Sequence, residues 1–133
     1  MSIAVGAIAP ALAFFRRVLP IHMRVEPRSG YDDQFVWTDF LVGDWKLELI
    51  ESARPASFVE RFLARRGEGF HHLSIDVDRL GPLVRRLEAD GIELIGKAEL
   101  PGGRRTAFIH PRRAHGVLLQ FWEEPEFGGP RRP

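Results

Sequence analysis

Cysteine is absent from the 133 residues. Disulfides, thiolate metal sites and thiol nucleophiles are thereby excluded. An excess of charge of one sign is missing too. Nineteen basic residues against 18 acidic ones leave a formal charge of +1, too little for a field that steers nucleic acid. Lysine is scarce, with only Lys46 and Lys97, so arginine carries the basic charge. No run of about 18 apolar residues occurs, which excludes a membrane-spanning helix. The first residues lack a charged region followed by an apolar stretch and a cleavage site. No signal peptide is read, and a cytoplasmic domain is expected. The chain is 44% hydrophobic and 28% charged, the composition of one compact domain rather than a disordered one.

The sequence repeats itself. Ser2, Ile3, Val5, Ile8 and Pro10 recur 72 residues later as Ser74, Ile75, Val77, Leu80 and Pro82. The helical stripe recurs with them: Ile8, Ala11, Leu12 and Phe15 match Leu80, Leu83, Val84 and Leu87, each set spaced for one helix face. Both prolines fall in a first helical turn, where a missing N–H costs little. Downstream, Leu47-Glu-Leu49 matches Leu119-Gln-Phe121. The repeat predicts an α+β fold of two tandem βαβββ modules, forming a curved eight-stranded sheet with a cleft. The first module, about 1–51, has strands near 2–5, 21–26, 34–42 and 45–51. The second, about 70–124, has them near 71–77, 92–98, 105–110 and 116–123. Gly43-Asp44 reads as a tight hairpin turn, and Pro111 to His115 as a longer one.

Residues 52–69 read as a linker helix packed on the sheet edge, opened by the capping box Ser57-Phe-Val-Glu60 and closed by Gly67. The tail 125–133, rich in Gly, Pro and Arg, is expected to fray, with Arg131 and Arg132 as solvated charge.

Strand side chains alternate between faces. On this parity Leu73, Ile75 and Val77 pack under the second helix, as do Val117, Leu119 and Phe121. Trp45, Leu47 and Leu49 pack under the first. The helix-averted face then carries Glu48, His72 and Gln120, with Glu48 and Gln120 at the same place in the repeat. Imidazole with carboxylate and amide oxygens suits Mn, Co, Ni or Zn as divalent ions. The plainer reading of an alternating polar residue is a solvated face, and of a single His a hydrogen-bonded structural one.

The stretches Phe40-Leu-Val-Gly-Asp-Trp-Lys-Leu-Glu-Leu-Ile-Glu51, Gly67-Glu-Gly-Phe-His-His-Leu-Ser-Ile-Asp-Val-Asp78 and Phe108-Ile-His-Pro-Arg-Arg-Ala-His-Gly-Val-Leu-Leu-Gln120 resemble the vicinal oxygen chelate superfamily of glyoxalase, bleomycin-resistance and extradiol dioxygenase proteins. Within it they look most like the methylmalonyl-CoA epimerase branch. The resemblance implies a divalent metal held by a first-strand His, a fourth-strand Glu or Gln, a fifth-strand His and an eighth-strand Glu. Glu48 takes the second place, His72 the third and Gln120 the fourth. The first-strand His would fall two residues ahead of Ser2, just before Met1. The epimerase branch also implies a third-strand carboxylate as one of two acid/bases. Thr38 stands at that position, with Asp39 beside it facing the other way. Gln120 stands for the other acid/base, and an amide does not exchange a proton at neutral pH.

Two functions follow as expectations, with a structural or regulatory subunit carrying a dead site as a third. One is a metal-assisted isomerase, epimerase or lyase working through an enolate on an acyl-CoA or other small carbonyl substrate, with Glu48 as the catalytic carboxylate. The other is a metal-free binding protein, of the sequestration type, that holds a small molecule in a degenerate site. Thr38, Phe40, Trp122 and His110 are the candidate pocket residues for either, with Trp37 beside them. His110 also reads as the turn-fixing residue of a His-Pro hairpin. His22 and His115 read as surface residues, and Arg104-Arg105 as a solvated pair able to meet a phosphate or carboxylate. A homodimer is expected, to cover apolar sheet edges. Nucleic acid and membrane are not expected partners.

Overall fold

The computed structural model describes residues 1–19 and 33–125, together with the backbone of short strands at 22–23 and 28–29. Most of the strand expected near 21–26, the side chain of His22, and Arg131 and Arg132 lie outside the described residues. The fold is α+β. Among the described residues there are three α-helices, seven strands of three or more residues and two of two residues, rather than eight continuous strands. The chain divides into two compact units, Met1–His72 and Leu73–Pro133.

The first unit runs β1 (Ser2–Ala4), α1 (Ile8–Val18), β2 (His22–Met23), β3 (Arg28–Ser29), β4 (Phe35–Val42), β5 (Trp45–Ser52), α2 (Phe58–Arg66) and the start of β6 (Gly69–Asp76). β4 and β5 form an antiparallel hairpin through Gly43-Asp44, where Gly43 takes a positive φ of 58° that a side chain would resist. β1 lies parallel to β5 and antiparallel to β6, and the two short strands border β4.

Two layers cover this sheet. On one face the stripe Ile8, Ala11, Leu12 and Phe15 of α1 packs on Ile3, Val5, Phe40, Leu47 and Leu49. Trp45, expected there, is 63% exposed at the hairpin end, beyond the reach of α1. On the other face Val59, Phe58, Phe62 and Leu63 of α2 pack on Ala4, Ile50, Phe35 and Trp37. The helix read as an edge-bound linker is thus a face-packing part of the first unit. Its apolar residues have a sheet face to bury, and an edge offers only backbone groups. The Ser57 side chain accepts from the Glu60 backbone N–H at 3.0 Å, and Gly67 ends the helix. The returning Glu60 carboxylate bonds to the Ala56 N–H instead of to Ser57.

The second unit runs from the end of β6 through α3 (Leu80–Ala89), β7 (Ile95–Leu100), β8 (Arg104–Ile109), a 3-10 turn (Pro111–Arg113) and β9 (Leu119–Glu123). β9 is parallel to β6 and antiparallel to β8, which pairs with β7. Leu80, Leu83, Val84 and Leu87 of α3 pack on Val77, Ala107, Ile109, Leu119 and Phe121. Leu73 and Ile75, expected under α3, stay out of this cluster, and Ile75 is exposed. The reason is position: α3 rests on β8 and β9, leaving β6 at the flank.

Neither α1 nor α3 has a side-chain N-cap at its own first residues. Each receives a carboxylate from a strand end instead. Glu51 accepts from the Ile8 N–H at 2.7 Å, and Glu123 accepts from the Leu80 N–H, 43 residues apart in both cases. A negative charge there satisfies an orphan donor and complements the helix dipole.

Candidate active site

The α2-side face of the first unit carries one transverse polar row. Asp39 is the register partner of Glu48, Glu48 of Ser2, and Ser2 of His72, so the row crosses β4, β5, β1 and β6. One step further along the strands, the row Trp37, Ile50, Ala4 is apolar and lies under α2. The polar row therefore borders a covered hydrophobic floor.

At the centre of the row, Ser2 is 2% exposed and its hydroxyl donates to a carboxylate oxygen of Glu48. Burial pushes the Glu48 carboxyl above its ordinary value. The Ser2 hydrogen bond and the positive charge of Lys46 oppose that shift, and the neighbouring Asp39 charge adds to it. Glu48 is thus a carboxylate that holds a proton more readily than usual.

His72 is 9% exposed at the end of the row. His71 follows a different path from simple alternation. Its ring lies on the α2 side, 5.5 Å from the Phe58 ring and 4.8 Å from the Phe62 ring. Its Nδ1 is 2.8 Å from Nδ1 of His72. Burial holds the His71 imidazole down to about 4, so it is neutral at physiological pH.

Thr38 and Phe40 do not reach this row. Thr38 is the register partner of Leu49 and Phe40 of Leu47, which places both on the α1 face. Phe40 is 2% exposed and fills the core, 5.7 Å from the Phe15 ring. Thr38 is 1% exposed, and among the described residues its hydroxyl has no hydrogen-bond partner. The third-strand carboxylate on the Glu48 side is Asp39. A one-residue parity difference separates it from Thr38, and only the pairing with β5 resolves it.

In the second unit, Ser74 and Gln120 repeat the Ser2–Glu48 arrangement. Ser74 Oγ donates to Gln120 Oε1 at 2.6 Å, 46 residues apart like Ser2 and Glu48. Gln120 Nε2 donates to Thr106 Oγ1 at 3.1 Å, and Thr106 Oγ1 donates to the Phe121 carbonyl at 3.1 Å. In the place that Asp39 takes beside Glu48, Phe108 stands beside Gln120. Trp122 shares this face, with its Nε1 donating to Glu124 at 2.6 Å and the Arg104 guanidinium 5.9 Å from its ring. His110 is exposed and caps the 3-10 turn, accepting from the Arg112 N–H at 3.1 Å. It fixes the turn after β8. His71 and Thr106 are the residues missed from the sequence, and Asp39, named beside Thr38, is the one that faces Glu48. The adjacent pair His71-His72 was the one signal available for them.

The donors in the first unit suit a divalent metal by type, a carboxylate and an imidazole flanking one hydroxyl. Their number falls short. Among the described residues no three His, Cys, Asp or Glu side chains gather into a group able to hold a metal.

Residues 1–108 match the family model described as Glyoxalase/Bleomycin resistance protein/Dioxygenase superfamily. The chain belongs to this superfamily. Among its relatives is the uncharacterized protein YqjC of Bacillus subtilis (strain 168), 32% identical over 128 residues, covering 92% of this chain and 89% of that protein. The mitochondrial methylmalonyl-CoA epimerase of Homo sapiens is 28% identical over 127 residues, covering 91% and 70%. The crystal structure of methylmalonyl-CoA epimerase from Mycobacterium tuberculosis superposes with a TM-score of 0.81 at 26% identity, covering 94% of this chain and 85% of that one. This superfamily member is thus close to methylmalonyl-CoA epimerases. No described helix is long and apolar enough to cross a membrane.

Proposed function

We propose that this protein is an isomerase- or lyase-type enzyme that removes the α-proton of an acyl-CoA thioester or a similar small carbonyl compound. The observation that carries the reading is the row Asp39, Glu48, Ser2, His72, with the Glu48 carboxyl raised by burial. In the step proposed, the α C–H bond breaks, the proton passes to the Glu48 carboxylate, and the electron pair moves to the carbonyl oxygen as an enolate. Returning the proton restores the thioester. Asp39 supplies the second carboxylate that proton transfer to and from carbon calls for. Within the first unit, Glu48 and His72 would be donors to a divalent ion. That ion, when bound, supplies positive charge for the enolate oxygen.

The proposal extends to architecture. Each unit is taken as one βαβββ module of the glyoxalase-like pattern, and the protein as a cytoplasmic homodimer. Exposed Phe14 and Val18 on α1, and Leu41 and Trp45 at the β4–β5 hairpin, are the apolar groups that dimer formation would cover. Light scattering at micromolar concentration should give twice the chain mass, and a monomer there would sink the dimer.

The test of activity is exchange of the α-proton of methylmalonyl-CoA in D2O, followed by mass spectrometry with and without Mn²⁺ or Co²⁺. Exchange that Glu48→Gln lowers by about 10²-fold or more supports the enzyme reading. Absence of exchange under all conditions overturns it. One observation favours the alternative of a metal-free small-molecule-binding protein. The Gln120 amide already has partners at both ends, Ser74 and Thr106. Saturable binding of small aromatic compounds, unaffected by chelator, would identify that alternative.

A further inference from the structure

We infer that Ser2 is a positioning residue that clamps Oε1 of Glu48 and leaves Oε2 as the oxygen that meets the substrate. The inference rests on the proposed function for what Oε2 does there, and not for the orientation of the carboxyl.

A glutamate carboxyl is loosely held by its own bonds. Its last torsion is broad and roughly two-fold, so a carboxyl without a fixed donor interchanges its two oxygens. Ser2 is a fixed donor. It lies on β1, the strand between β5 and β6, with backbone partners on both flanks. Its side chain is buried, and its hydroxyl donates to Oε1. The anchor is on the β1 flank of β5, away from the like charge of Asp39 on β4.

Oε2 has a different environment. Among the described residues no group hydrogen-bonds to it. It is not sealed in the core either, because Thr38 Oγ1 is the only buried side-chain oxygen or nitrogen among them that lacks a partner. One oxygen of the carboxyl is therefore held and the other is open. The second unit shows the same contact with nothing left open. Ser74 donates to Oε1 of Gln120 at 2.6 Å, and Gln120 Nε2 donates to Thr106. Both ends of that amide are engaged, and it braces β6, β9 and β8. Trp37 stands in the first unit where Thr106 stands in the second, two residues before the register partner of the polar group. The indole brings no hydroxyl to that place, and Oε2 has no bond of that kind.

In the proton transfer proposed above, the α C–H bond breaks, the new O–H bond forms at Oε2, and the electron pair moves to the carbonyl oxygen. Oε1 accepts from Ser2 before and after the step, since a carboxylic acid keeps an accepting oxygen. The carboxyl plane stays in place as the proton comes and goes. Misplacing a reacting group by about 1 Å costs about 10²-fold in rate.

The test reads orientation and rate separately. NMR of the full chain with chelator present should show a single Glu48 side-chain rotamer, from distinct Hγ shifts and couplings, and a Ser2 hydroxyl proton protected from exchange. Ser2→Ala should average the Glu48 rotamers. It should also lower kcat for α-proton exchange of methylmalonyl-CoA by about tenfold or more, with KM little changed. Ser2→Thr returns the hydroxyl and should recover the single rotamer and most of kcat. Averaged Glu48 rotamers in the wild type, an unchanged kcat in Ser2→Ala, or a loss carried by KM instead of kcat overturns the inference. If Ser2→Ala does not fold, the wild-type rotamer and hydroxyl proton alone still decide. If the wild type exchanges no α-proton, the proposed function fails, while the Glu48 rotamer in the wild type and Ser2→Ala still judges Ser2.

Discussion

Ser2 donates its hydroxyl hydrogen to Glu48, its neighbour across the parallel pairing of β1 with β5. The contact joins two residues 46 apart in sequence and places a buried hydroxyl on a partly buried carboxylate. Ser74 and Gln120 make the same contact 72 residues later, in the same parallel register of β6 with β9. The difference between the copies is chemical: a titratable group in one, a neutral amide in the other. Four predictions follow from the environments of these side chains.

Glu48→Gln should lower proton exchange by about 10²-fold or more and, in metal-free protein, raise stability at neutral pH. Burial raises the folded-state carboxyl above its unfolded value of 4.5, so the folded chain binds more protons than the unfolded chain between the two. Stability from this group is therefore greatest below the unfolded value and falls as pH rises through the folded one. Urea denaturation from pH 4 to pH 8 in chelator should show that loss in the wild type and not in Glu48→Gln. Equal pH profiles would refute it.

The sign reverses for His71. Burial lowers its folded value to about 4 against 6.5, so the unfolded chain binds more protons between those values. Its contribution is complete above pH 6.5 and is lost as pH falls toward 4, by at most about 3 kcal/mol. His71→Phe should flatten the acid limb of a denaturation curve measured across that window, and an unchanged limb would contradict the assignment.

Thr106→Val should cost about 1–3 kcal/mol, because the buried Gln120 Nε2 loses its acceptor. Thr106→Ser keeps the oxygen and should recover most of that. Chemical denaturation of the two variants checks it, and a larger loss in Thr106→Ser than in Thr106→Val would show that the methyl group, not the hydrogen bond, matters.

Thr38→Val and Asp39→Asn should part in opposite directions. The Thr38 hydroxyl is buried in an apolar cluster without a partner, so the isosteric valine should stabilise by about 1 kcal/mol and leave activity unchanged. Asp39→Asn removes a carboxylate beside Glu48 and should lower exchange by about tenfold or more, with little effect on stability. Loss of exchange in Thr38→Val with full activity in Asp39→Asn would restore Thr38 to the site.

Periodicity made the helices legible. Ile8, Ala11, Leu12 and Phe15, and Leu80, Leu83, Val84 and Leu87, are the stripes that pack in the two units, because a face of a helix is written in local spacing. Glu48 and Gln120 were legible as equivalent through the spacing of the repeat, and the superfamily through motif order. Trp45, Phe40 and Thr38 were not. Which face a strand residue takes depends on where the helix above it ends and on which residue stands opposite.

The amino-acid sequence by itself determined the α+β pattern, the helix stripes and the equivalence of Glu48 with Gln120. Each of these is carried by spacing along one chain. Only the tertiary structure decided that Asp39 rather than Thr38 stands beside Glu48, that α2 covers a sheet face, and that His71 turns toward His72. Strand side chains repeat every two residues, so a shift of one residue exchanges the faces. A bulge makes that shift through hydrogen bonds to another strand, which no local pattern records.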